Sequence, residues 1–133
     1  MKIFLRDPDS WGERINFVDE NNVFLGYSLS QDCCEHADWF IDDTAWQTRI
    51  PDDLKKYQKT EGYDGWVFDT SFYMLTENSG EFDEGGMAIF KIKKDRAEKF
   101  IHIFNSHNGY YGHGFEFTIG EGKNATILKE SVL

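Results

Sequence analysis

A chain of 133 residues with 40% hydrophobic and 17% aromatic side chains is long enough for one ordinary domain, here spanning 1–133, and too short for two. Its 12 Phe, 6 Tyr and 4 Trp can fill a core without a disulfide or a metal, so no cofactor is expected. The net charge of −10 argues against direct binding to nucleic-acid phosphates, which needs a basic footprint, and no apolar run approaches the roughly 18 residues of a membrane span.

In chain order the pattern is mainly β. Lys2–Leu5 is a short strand, followed at once by the charged loop Arg6-Asp7-Pro8-Asp9-Ser10. That start lacks the apolar stretch of a secretory signal, and the two cysteines are adjacent, so a reducing cytoplasm is the expected compartment. Arg14–Val18 is a second strand and Asp19–Asn22 a turn. Val23, Leu25, Tyr27 and Leu29 then alternate along a third. Asp42–Gly65 is the least regular segment and is expected to cover an open end of the sheet. Within it, Pro51 with Asp52 and Asp53 ahead of Lys55 and Lys56 suggests a short surface helix near 51–57. Trp66–Thr76 reads as one long strand and Glu77–Gly86 as a loop. Met87–Lys93, Lys99–Asn105, Tyr111–Ile119 and Asn124–Lys129 follow as closely spaced strands, with a single helical turn at Asp95–Glu98. Such short spacing favours antiparallel pairing, because parallel crossovers need a dozen or more residues. The expected fold is an antiparallel sheet closed into a sandwich or a partial barrel.

The richest stretch is Asn105–Phe117, which holds a strong turn signal, aromatic residues and two of the 4 histidines. Asn108-Gly109 between strand-like runs suits the positive φ of a type I′ hairpin turn. A tip there sets His107 opposite Tyr110, Phe104 opposite His113, His102 opposite Phe115 and Phe100 opposite Phe117. In that register His102 and His113 share one face with the four phenylalanines as diagonal neighbours, two histidines built into an aromatic core. His107, beside the turn on the other face, is the better ligand-contacting candidate. Gly112 and Gly114 leave either a shallow groove or room for a close-packed neighbour.

Asp32-Cys33-Cys34-Glu35-His36 gathers both cysteines, a histidine and two acids. Zinc ligands are usually spaced two to four residues apart, whereas adjacent residues in a strand point to opposite faces. A composite zinc site, or a Cys–His nucleophile pair, would use Cys33 or Cys34 with His36, His107 or His113. The neighbouring Asp32 and Glu35 oppose the thiolate that either needs. The acids at Asp42-Asp43, Asp52-Asp53 and Glu81–Glu84 lack calcium-loop spacing.

Asp32-Cys33-Cys34-Glu35, then Thr70-Ser71-Phe72-Tyr73, then Asn108-Gly109-Tyr110-Tyr111 with His113-Gly114-Phe115, resemble an uncharacterised family of small bacterial and phage proteins carrying these boxes in this order. The likeness covers roughly residues 22–118, with Ser71 interrupting the family's Thr-Phe-Tyr pattern and the charged 42–65 segment longer than usual. It implies a β-rich domain, a bacterial or prophage context, and no catalytic residue to carry over. It also implies that the cysteine box and the Asn-Gly-Tyr-Tyr turn meet at one end of the sheet. The function expected is non-enzymatic binding of a protein or small ligand through His107, Asn108, Tyr110 and Tyr111 with Cys34 and Glu35. The alternatives are the metal-dependent or Cys–His hydrolase and an acidic nucleic-acid mimic that inhibits a nucleic-acid enzyme.

Overall fold

Period-two alternation builds both layers of the fold, which is seen in a computed structural model describing residues 1–6, 13–29, 36–45, 50–77, 84–107 and 112–133. The described residues form ten strands: β1 (Lys2–Arg6), β2 (Arg14–Val18), β3 (Val23–Ser28), β4 (His36–Asp42), β5 (Val67–Phe68), β6 (Met74–Glu77), β7 (Glu84–Lys94), β8 (Ala97–His107), β9 (Gly114–Ile119) and β10 (Thr126–Val132). They make two antiparallel sheets, ordered β1-β2-β3-β9-β10 and β4-β8-β7-β5, with β6 also on β7. The expected antiparallel sandwich is the observed architecture.

The first sheet buries Ile15 and Phe17, Val23, Leu25 and Tyr27, and Phe115 and Phe117 against Ala37, Trp39 and Ile41, Ala88, Phe90 and Ile92, and Ile101 and Ile103 of the second. Aromatic rings interlock across the interface: Phe17 on Trp39 at 5.5 Å, Phe68 on Phe117 at 5.1 Å, and Phe90 on Phe117 at 4.9 Å. Offset and edge-on rings at such separations add to the area that they bury.

The second sheet is apolar on both sides. Phe40, Met87, Ile89, Phe100 and Phe104 face outward, where Ala45, Ile50, Leu54, Tyr57, Phe72 and Met74 cover them. The irregular segment therefore covers a face of the sheet, not an open end, because that face carries a second hydrophobic cluster needing a lid. Within it the surface helix exists as a short 3₁₀ turn, Leu54–Tyr57. Tyr63 and Trp66 then return to the edge of the inter-sheet core.

Three expectations are corrected. Lys99–Asn105 and Tyr111–Ile119 are not hairpin partners. Phe104 lies opposite Met87 and Asp38, Phe100 opposite Lys91 and Asp42, and Phe115 opposite Tyr27 and Ser131. β8 and β9 belong to different sheets, so His102 and His113 share no face. Phe100 and Phe104 face outward from the second sheet, whereas Phe115 and Phe117 face the inter-sheet core, where Phe90 packs on Phe115 at 5.8 Å. A strand apolar on both faces such as β8 gains most at the centre of a covered sheet, between β4 and β7. Second, Trp66–Thr76 is interrupted. Phe68 pairs with Ile92 and Met74 with Ile89, so more chain separates the first pair of residues than their partners, and Asp69–Tyr73 loops out. The Asp69 carboxylate accepts from the Ser71 amide at 3.0 Å and hydroxyl at 2.6 Å, which stabilises that loop. Third, Asp95–Glu98 is no helical turn. Lys94 pairs with Ala97, Asp95 takes φ 54, and this is the tight hairpin joining β7 to β8.

Candidate functional site

Strand direction sorts the connections. One end of the sandwich carries tight turns, including Asp19–Asn22, whose buried Asp19 carboxylate accepts from the Asn21 and Val23 amides at 2.9 Å and the Phe68 amide at 2.8 Å. At the other end Arg6 pairs with Arg14, Arg14 with Ser28, His36 with Ser106, Glu84 with His107, and Gly114 with Val132. The strand ends flanking 7–12, 30–35, 78–83 and 108–111 are therefore gathered at that second end. Two of those stretches, 30–35 and 108–111, link one sheet to the other.

Hydrogen bonds brace the sandwich at this end. The Tyr27 hydroxyl donates to the Phe104 carbonyl at 2.7 Å, and Asn105 Nδ2 donates to the Leu133 carbonyl at 3.0 Å, each joining a residue near the end of one sheet to the other. His113 and Leu133 exchange backbone hydrogen bonds at 2.9 Å in both directions. Groups so bonded and buried hold the strand ends in one geometry, the support that a binding surface built on loops requires.

The candidate residues fall on this frame as follows. Cys33, Cys34, Glu35, Asn108, Tyr110 and Tyr111 lie outside the described residues. His107 closes β8, one position beyond Ser106, the partner of His36. The chain leaving the cysteine box and the chain entering the Asn-Gly-Tyr-Tyr turn thus lie at neighbouring positions of β4 and β8. His36 opens β4 with its side chain half exposed, its ring edge-on to Phe104 at 5.3 Å and its Nε2 3.6 Å from Asp38 Oδ2. Asp38 Oδ1 accepts from the Trp39 amide at 3.0 Å and from Gln58 Nε2 at 2.7 Å. Burial pushes the Asp38 carboxyl above the usual carboxylate range, against the opposing pull of the Trp39 amide and His36.

The other histidines are structural. His113 is buried in the first sheet with Nδ1 2.7 Å from the Ser28 carbonyl, which withdraws it from any site built on His36 in the second sheet. His102 is fully buried, stacked on Phe40 at 4.3 Å and 7°, with Nε2 donating to the Thr44 carbonyl at 3.2 Å. Burial pushes its pKa down to about 4. Among the described residues no group of three His, Cys, Asp or Glu side chains could hold a metal ion.

The two glycines divide the roles foreseen for them. A Cβ at Gly112 would collide with the Val132 side chain, so this glycine permits close packing. A Cβ at Gly114 would meet nothing, and Gly114 lines an open groove of about 450 Å3 with Arg14, Ser28, Glu116 and Val132. Arg14 and Glu116 form an ion pair at 2.8 Å across the strands there. The sequence raised a shallow groove here but not its walls, because those need β2, β3, β9 and β10 side by side. β4 was missed although Ala37, Trp39 and Ile41 alternate with His36, Asp38 and Phe40, a signal overshadowed by the cysteine box. No helix among the described residues is long and apolar enough to cross a membrane. Compared with protein-family models, curated proteins and solved structures, the chain matches none.

Proposed function

We propose that this protein is a binding module that engages a protein or small ligand through the loop end of the sandwich, with His107, Asn108, Tyr110, Tyr111, Cys34 and Glu35 as its contacts. The observation that supports it is the register: His36 opposite Ser106 and Glu84 opposite His107 bring the strand ends flanking those residues together, on a base braced by Tyr27 and Asn105. Loops carried at one end of a rigid sandwich are a recurrent solution for recognition, since they vary freely while the strands hold their ends. Tyrosine suits such a surface because it brings area at low entropic cost. The test compares affinity capture from a native host lysate by the parent, by Tyr110→Ala/Tyr111→Ala, and by Arg96→Ala in the hairpin at the opposite end. The loop-end variant should lose captured proteins that the Arg96 variant keeps. Equal capture by all three, with folding intact, would refute the proposal.

A Cys–His or metal-dependent hydrolase is the second reading, favoured by the half-exposed His36 that directly follows the cysteine box. It predicts zinc at near-stoichiometric levels in protein purified without an affinity tag, or loss of a hydrolytic activity in His36→Ala. Less than about a tenth of an equivalent of zinc would sink its metal version.

A further inference from the structure

Alternation in the first sheet turns Ile3, Ile15, Phe17, Leu25, Phe115 and Phe117 inward, so the residues between them form its outer face. The register aligns one row of that face across all five strands. Phe4 lies opposite Asn16, Asn16 opposite Gly26, Gly26 opposite Glu116, and Glu116 opposite Glu130. Neighbouring strands lie about 4.8 Å apart, so the row runs for about 19 Å.

Asn16 is the anomaly in this row. It is only 5% exposed, although it faces away from the core. Its amide makes no hydrogen bond to any of the described residues, yet neither the amide oxygen nor the nitrogen is sealed from solvent. On one side of it stands Phe4, 46% exposed. On the other, the Phe24 ring and the Arg14 guanidinium close over Gly26, 2.8 Å and 2.9 Å from where a Cβ would stand. The missing side chain lets both lie that low. A largely buried amide offers two donors and an acceptor, and leaving them without protein partners costs stability.

The polar groups farther along the row are held in place. Arg14 Nη2 donates to Glu116 Oε1 at 2.8 Å. Both residues line, with Glu130 and Ser28, the groove of about 450 Å3 that continues the row. We infer that this row is a binding site for a neutral oligosaccharide, read by Asn16, Arg14 and Glu116, with Phe4 and Phe24 against its sugar rings.

Hydrogen-bonding chemistry selects that ligand class. A hydroxyl donates and accepts as water does, so it can displace water from an amide, a guanidinium and a carboxylate in turn. The C–H faces of sugar rings also suit the electron-rich faces of phenyl rings. Charge on this face is mixed: Lys2, Arg6 and Arg14 on β1 and β2 stand against Glu116 and Glu130 on β9 and β10, which favours a neutral ligand. A phosphate would meet an Arg14 already paired with Glu116, and Glu130 beside it. A peptide strand would find side chains here, not the unpaired backbone groups of a sheet edge. The length of the row suits several linked sugars better than one.

Maltohexaose, cellohexaose, xylohexaose and chitohexaose are the probes, each added at about 10 mM to the isotopically labelled full chain, with adenosine monophosphate as the anionic control. At least one of the four should shift the NMR signals of the Asn16 side-chain amide and the Gly26 backbone amide, and the nucleotide should move neither. Asn16→Val should weaken binding about tenfold or more while its urea midpoint stays the same or rises, because valine replaces a polar group that the fold leaves without a partner. Phe4→Ala, at an exposed position, should weaken binding about threefold or more, and it carries the test if Asn16→Val fails to fold. A purely structural Asn16 would instead give a lowered midpoint with binding kept, which overturns the inference. So would no shift at Asn16 with any of the four sugars, or a nucleotide that shifts it as strongly. Tyr110→Ala/Tyr111→Ala should leave sugar binding unchanged, which keeps this outcome separate from that of the loop end.

Discussion

Acid should destabilise this protein through His102, and the size of the effect follows from its surroundings. The imidazole is fully buried between Phe40 and Met87, and Nε2 donates to the Thr44 carbonyl, so the neutral ring satisfies the site. Burial holds its folded pKa at about 4, below the ordinary value of 6.5, outweighing the attraction of Asp42. The unfolded chain therefore takes up a proton as pH falls through 6.5, whereas the folded chain resists until about 4. Stability is fully present above 6.5 and is lost progressively as pH falls from 6.5 to the folded value of about 4. Linkage puts the loss between pH 7 and pH 4.5 at about 2 kcal/mol, a large share of the roughly 5–15 kcal/mol of a typical domain. His102→Leu keeps the volume apolar but removes the hydrogen bond from His102 to the Thr44 carbonyl, costing about 1–2 kcal/mol at pH 7. Urea denaturation of parent and variant at pH 7 and pH 4.5, at one ionic strength, measures both quantities. Titrating carboxylates affect the two proteins alike, so they cancel in the difference. The variant should start less stable and lose less, bringing the two curves together near pH 4.5. Parallel curves, or a His102 ring that titrates near 6.5 by NMR in the folded protein, would refute the reasoning.

Two further outcomes are expected. Asp19→Ala strips three backbone amides of their acceptor, two of which, Val23 and Phe68, belong to buried residues, and should cost about 3 kcal/mol in urea unfolding at neutral pH. A loss below about 1 kcal/mol would mean that water replaces the carboxylate there. Gly112→Ala should destabilise by about 1–2 kcal/mol through overlap with Val132, while Gly114→Ala, facing open space, should stay within about 0.5 kcal/mol. Thermal melts of the pair check the contrast, and equal effects would contradict the packing described.

How far the sequence reached varies by element. β2, β3 and the Asp19–Asn22 turn were legible because Val23, Leu25 and Tyr27 recur with period two and the turn chemistry is local. β8 was legible as a strand but not in its partners. Phe100, His102 and Phe104 on one side and Ile101 and Ile103 on the other are both apolar, and a strand with two apolar faces does not say which is inner. The candidate site was half legible. His36 and His107 were singled out from sequence, and their neighbouring positions in β4 and β8 depend on a pairing between segments far apart in the chain.

By itself the sequence determined what short-range chemistry determines: a β-rich chain, most strand positions, the polar turns, and an aromatic supply sufficient for a core without disulfides. Only the tertiary structure decided that the phenylalanines of β8 and β9 face different layers and that His102 is sealed beneath a lid. The physical reason is that alternation fixes which residues share a face of one strand, whereas pairing and layer order minimise exposed apolar area over the whole molecule. Asn108-Gly109 favours a reversal of the chain, but burying both faces of β8 between two other strands outweighs the hairpin that the dipeptide alone would form.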